Sequence, residues 1–94
     1  MQKQIFIGLF PLGTVVVTPG CMEVTSEEER ISALTRHVNG DWGGVSDCDK
    51  QYNDEAMEDE GRLLSAYLTS SGLRFWIITE WDRSVTTILL PEEY

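Results

Sequence analysis

Ninety-four residues, 41% of them hydrophobic and including three Trp, three Tyr and three Phe, make one domain with a modest core and exclude a disordered chain. Sixteen acidic against seven basic residues leave a net charge of −9, which repels phosphate and argues against direct nucleic-acid binding. Two cysteines, Cys21 and Cys48, are too few for a structural zinc site. They read as ordinary thiols of a cytoplasmic protein rather than as a disulfide.

In chain order, "IFIGLFPLGTVVV" followed by "TPGC" has the outline of a lipoprotein signal ending at Cys21. Pro11 and Gly13 interrupt its apolar run, and Pro19 stands where cleavage sites want a small residue other than proline. The stretch is therefore read as part of the domain, and no run reaches membrane-spanning length. Residues 5–10, "IFIGLF", are apolar enough for a strand, although Gly8 and Pro11 oppose it. Residues 14–18, "TVVVT", are β-branched and predict a strand closed by a turn at Pro19-Gly20.

A helix over 26–38 follows. Ser26 with Glu29 forms a capping box, Glu27, Glu28 and Glu29 suit the helix N-terminus, and Ile31, Leu34 and Val38 line one face. Arg36 and His37 fall in the last turn, and Gly40 is placed to end it. Residues 41–60 then carry eight acids (Asp41, Asp47, Asp49, Asp54, Glu55, Glu58, Asp59 and Glu60) against one base, Lys50. Ser46 and Asp49 predict the start of a second helix, with Cys48, Tyr52 and Ala56 inward and Gly61 ending it. Glu58, Asp59 and Glu60 at its C-terminal end conflict with the helix dipole.

The last third predicts strands at 62–69, 73–81 and 84–90, joined by short turns and hence an antiparallel meander. The expected fold is a single α+β domain over 1–94. Two helices pack with a three- to four-stranded antiparallel sheet in the order β-α-α-β-β-β. Both faces of the 73–81 strand are largely apolar, so an incompletely covered face invites a homodimer.

Three constellations bear on chemistry. His37 and Asp41 have the i, i+4 spacing of a histidine–carboxylate base, but Gly40 ends the helix between them. A histidine capping helix carbonyls is the simpler reading. Trp42 reads as a core anchor, and Gly43-Gly44 lacks the spacing and the lysine of a phosphate loop. "TEWDRS" carries Glu80, Asp82 and Arg83, which could hold a metal or a hydrolytic water. Asp82 bonding the turn backbone and pairing with Arg83 is the ordinary alternative. An enzyme reading would use His37, Asp41, Glu80 and Asp82 with a divalent metal. The non-enzymatic reading needs no metal or cofactor and uses the eight acids of 41–60. A helix over 47–60 would carry seven of them, roughly one carboxylate per 3 Å, close to the phosphate spacing of a DNA strand.

"GTVVVTPG", "RHVNGDWG", "RLLSAY", "ITEWDRS" and "TTILLPEEY" together resemble a family of small bacterial proteins of plasmids, phages and other mobile elements. Its members are often labelled plasmid-related proteins or type I restriction endonuclease subunit M, and the likeness runs from about residue 12 to Tyr94. This chain has neither the length nor the glycine motif of a methyltransferase. What the resemblance implies is an anti-defence protein, anti-CRISPR or anti-restriction, mimicking DNA toward a host Cas or restriction complex. An antitoxin-like accessory dimer is the further alternative.

Overall fold

The computed structural model describes residues 8–94. The elements are β1 (Thr14–Val17), α1 (Pro19–Val24), α2 (Glu27–Val38), α3 (Asp47–Asp59), β2 (Leu63–Leu68), β3 (Arg74–Thr79) and β4 (Val85–Leu89), then a 3-10 turn at Pro91–Glu93. The fold is a small α+β domain whose four-stranded sheet has the order β1-β4-β3-β2. The predicted meander is present: β2–β3 and β3–β4 are antiparallel. Of the strand expected over 5–10, residues 5–7 lie outside the described residues, and 8–10 run as bends.

The sheet is mixed, not antiparallel. β1 lies parallel to β4, from Thr14 opposite Val85 to Val17 opposite Ile88. Parallel neighbours require a crossover, and here everything from α1 to β3 forms it. The expected turn at Pro19-Gly20 is instead the start of a third helix. Proline at the first helical position lacks only an N–H that would be unpaired anyway, and its fixed φ suits the turn. The Glu93 carboxylate accepts from the Thr18 hydroxyl and the Gly20 amide, tying the chain's last turn to the first turn of α1. Cys21, on α1, is fully buried as a free thiol, and Cys48 is exposed. No described helix is long and apolar enough to cross a membrane.

The α2 boundaries follow their sequence signals. The Ser26 hydroxyl accepts from the Glu29 amide, and the Glu29 carboxylate accepts from the Ser26 amide. At the other end the Gly40 amide bonds the His37 carbonyl and the Asp41 amide bonds the Arg36 carbonyl. That is a Schellman ending, which needs the left-handed φ of +79° that Gly40 supplies. α2 buries Ala33, Leu34, His37 and Val38 against the inner sheet face, where Leu63, Tyr67, Phe75, Ile77 and Ile88 complete the core. Each such large apolar side chain contributes about 1.5–3 kcal/mol by leaving water.

α3 lies along the β2 edge, rotated from the expected stripe. Asn53 and Ala56 are buried, while Cys48 and Tyr52 are exposed. The reason is backbone chemistry at the edge strand. The Asn53 side-chain amide donates to the Leu64 carbonyl and its oxygen accepts the Leu64 amide, as a neighbouring strand would. The Ala66 amide and carbonyl are taken by Trp42 and Gly44. The close approach needs Gly43, since a Cβ there would collide with the Ala66 carbonyl.

Glu60, not Gly61, takes the left-handed position that ends α3, at φ 56°. A β-carbon in that conformation is strained. Glu60→Gly is expected to stabilise the fold by about 0.5–1 kcal/mol, the strain relief exceeding the added freedom of the unfolded chain. A higher urea midpoint at unchanged slope would confirm it.

Candidate functional site

His37 is at the centre of a buried polar chain, not at an exposed helix end. It is fully buried, its Nδ1 lies 2.5 Å from the Ser65 hydroxyl, and its Nε2 lies 2.9 Å from the Thr79 hydroxyl. Thr79 continues to Thr86 at 2.8 Å, and Thr86 donates to the Leu12 carbonyl at 2.7 Å. That last bond orders every proton before it. Thr86 spends its proton on Leu12, so Thr79 donates to Thr86 and must itself accept from His37 Nε2–H. Burial keeps the imidazole neutral, so Nδ1 is the acceptor of the Ser65 hydroxyl. Phe10 and Trp42 meet the ring edge-on at 5.3 and 5.6 Å. Burial, with a smaller contribution from the Arg83 charge, pushes the His37 pKa down to about 3.

Asp41 takes no part in that chain. Its carboxylate accepts from Arg36 Nε at 2.7 Å and from the Gly43 amide at 3.2 Å, and the Arg36 bond holds its pKa below the usual range. Arg36 also lies over the Tyr67 ring, whose hydroxyl donates to the Asp41 carbonyl at 2.6 Å. Burial raises the Tyr67 pKa to about 12.

The predicted "TEWDRS" group is divided among three jobs. The Asp82 carboxylate accepts the Ser84 amide and hydroxyl, the expected turn chemistry. Glu80 faces Arg62 at 3.4 Å. Arg83 does not pair with Asp82. It donates to the carbonyls of Ala56, Gly61 and Glu80 and lies over the Phe10 ring. A guanidinium at the carbonyl end of α3 resolves the conflict raised by Glu58, Asp59 and Glu60, because it supplies the cation the helix dipole favours there. His37, Asp41, Glu80 and Asp82 thus belong to four separate interactions. No cluster of three His, Cys, Asp or Glu side chains suited to a metal occurs among the described residues.

The acids of 47–60 are all exposed. At 100° per residue, Asp47, Asp54 and Glu58 (i, i+7, i+11) form a row along the outer side of α3, with Glu55 and Asp59 beside it. The row spans roughly 16 Å at 1.5 Å per residue. Asp54 also accepts the Trp42 indole N–H at 2.9 Å, which pins the helix to the anchor of the preceding loop. Asp49 lies on another side, facing a pocket of about 320 Å³ between α3 and the outer sheet face. That pocket is also lined by Tyr52, Asn53, Arg62, Leu64, Trp76, Ile78 and Tyr94.

Sequence reasoning missed this pocket and the partners of His37. Ser65, Thr79 and Thr86 are polar residues at strand positions that otherwise face the core, and that was the available signal. Comparison with family models, with curated proteins and with solved structures finds no match.

Proposed function

We propose that the protein is a non-enzymatic interaction protein that presents the acidic ridge of α3 to a basic nucleic-acid-binding groove of a host protein. The observation that carries this is the display, on α3 and its C-cap, of seven exposed carboxylates over 47–60 with Lys50 as the sole base. A helix held by Asn53, Ala56 and Asp54 offers those charges without an ordering cost, and complementary fields speed encounter with a basic surface. The resemblance to mobile-element proteins supplies the partner class: a Cas or restriction complex whose DNA groove the ridge would fill. The histidine-based hydrolytic alternative draws no support from a ring that water does not reach.

The test is capture from a host extract, with mass spectrometry of what is retained. Asp47→Asn, Glu55→Gln, Glu58→Gln and Asp59→Asn are combined, and Asp54 is spared because it holds Trp42. Capture of a nucleic-acid-handling complex that duplex DNA competes away is expected. The combined variant should lose it by about tenfold or more while melting as the parent does. Undiminished capture by that variant would overturn the proposal.

A further inference from the structure

The pocket between α3 and the outer sheet face has a distinct chemistry. Leu64 and Ile78 stand opposite each other in the β2–β3 register, and Trp76 precedes Ile78 by two on the same face, so these three form the floor. Asp49 and Tyr52, nearly a turn apart on α3, form one wall. Tyr94 forms another, edge-on to Trp76 at 5.8 Å. Tyr52 and Tyr94 are 56% and 68% exposed, so much aromatic surface there still meets water.

Three aromatic rings line the pocket, and Asp49 adds a carboxylate. The one cation of the lining, Arg62, is already engaged: it donates to the Tyr94 hydroxyl, lies over that ring at 5.2 Å, and faces Glu80. An anionic ligand would meet both Asp49 and the −9 charge of the protein. An uncharged aromatic ligand would desolvate Asp49 without pairing it. A side chain with an apolar stem and a planar cation suits the apolar floor, the rings and Asp49, while Arg62 stays paired with Glu80 and the Tyr94 hydroxyl. The guanidinium suits it better than an ammonium, being planar and weakly hydrated.

We infer that this pocket takes an arginine side chain of the protein partner, its stem on Leu64 and Ile78 and its guanidinium against the rings of Tyr52, Trp76 and Tyr94 and the carboxylate of Asp49. The inference rests on the reading of α3 as a partner surface and names the anchor that sets the partner's register on it. The ridge gives long-range attraction, and the pocket, reached around α3 past Glu55, Asp59 and Tyr52, gives the partly enclosed contact that an anchor side chain needs.

The experiment is a nuclear magnetic resonance titration of the isotope-labelled protein with N-acetyl-arginine amide and its uncharged isostere N-acetyl-citrulline amide. The arginine compound is expected to shift the Trp76 indole N–H and the Leu64 and Ile78 amides saturably. The citrulline compound should bind about fivefold or more weakly. Asp49→Asn should reduce the arginine response by a similar factor. It should leave the fold alone, since the backbone amide of Asp49, not its side chain, receives the Ser46 cap. Equal response to both compounds, or shifts confined to the ridge with Trp76 unmoved, would overturn the inference. The combined ridge variant keeps the pocket and should still take the arginine compound. Partner capture lost in that variant without any arginine response removes the pocket and leaves the partner surface standing. An arginine response with capture indifferent to the ridge removes the partner surface and, with it, this assignment.

Discussion

Stability should fall as the pH is lowered from about 6.5 toward 5, at close to 1.4 kcal/mol per pH unit, and His37 is the cause. In the unfolded chain the imidazole takes up a proton near its ordinary value of 6.5, whereas in the native protein it resists protonation down to about 3. Between those values the unfolded state binds more protons, so acid favours unfolding. The contribution is intact above pH 6.5 and declines steadily until the native pKa is reached. At pH 5 the expected loss is about 2 kcal/mol, a large fraction of the roughly 5–10 kcal/mol such domains possess.

Other titrations do not imitate this window. Glu29, Asp41, Asp82 and Glu93 have pKa values held below 4.5 or 3.8 by hydrogen bonds. Their contributions are present above those values and are lost only at lower pH. Relief of self-repulsion among the excess carboxylates acts in the opposite direction, since protonating them stabilises a compact acidic protein. Urea midpoints measured between about pH 7.5 and pH 5 test the slope. His37→Gln, which can still donate and accept but does not titrate, should flatten it. A His37→Gln variant whose stability changes with pH as steeply as the parent's would refute the buried neutral ring.

Arg83→Ala should cost about 1.5–3 kcal/mol, a large loss for a residue in a surface turn. The guanidinium donates to the Ala56 carbonyl at 2.9 Å and to the Gly61 carbonyl, and these bonds hold the end of α3 to the β3–β4 turn. Removing it takes its partner from the half-buried Gly61 carbonyl, leaves the Ala56 carbonyl with backbone amides alone, and leaves three acids at a helix terminus without a cation. Arg83 also sits at φ 59°, so its backbone is strained by a side chain that the site nevertheless requires. Arg83→Gly should therefore be less damaging than Arg83→Ala by about 1 kcal/mol, and both should fall below the parent. Amide hydrogen exchange should quicken first at the last turn of α3. Equal stability of the alanine variant and the parent would show that the carbonyl contacts carry no weight.

What the sequence made legible was local. Ser26, Glu29 and Gly40 mark α2 because capping and left-handed endings are satisfied within a few residues. The meander was legible because short turns force antiparallel neighbours. The parallel pairing of β1 with β4 was not, since it joins residues some seventy positions apart and no local pattern distinguishes a first strand beside the last from one beside β2. The inner face of α3 was misread because a hydrophobic stripe favoured Tyr52, whereas the Leu64 backbone requires Asn53. For the site, exposure of the acids followed from composition. The attachment of Asp54 to Trp42 and of Asp41 to Arg36 did not, because a carboxylate's partner is set by tertiary approach. His37 looked like a helix-end cation through its position in the last turn, yet it stands three residues after Leu34, on the inward face.

The two edges of the sheet are unlike, and that difference limits how the molecule can assemble. On β2, Leu64 and Ala66 are already bonded by Asn53, Trp42 and Gly44, while nothing among the described residues bonds the outer side of β1. A sheet with two open edges can add strands without end, which is how fibrils grow. A sheet with one open edge is monovalent: a single strand-pairing event saturates it, and the sum is a closed pair rather than a polymer. Asn53, together with Trp42 and Gly44, denies the Leu64–Ala66 stretch of that edge to another strand.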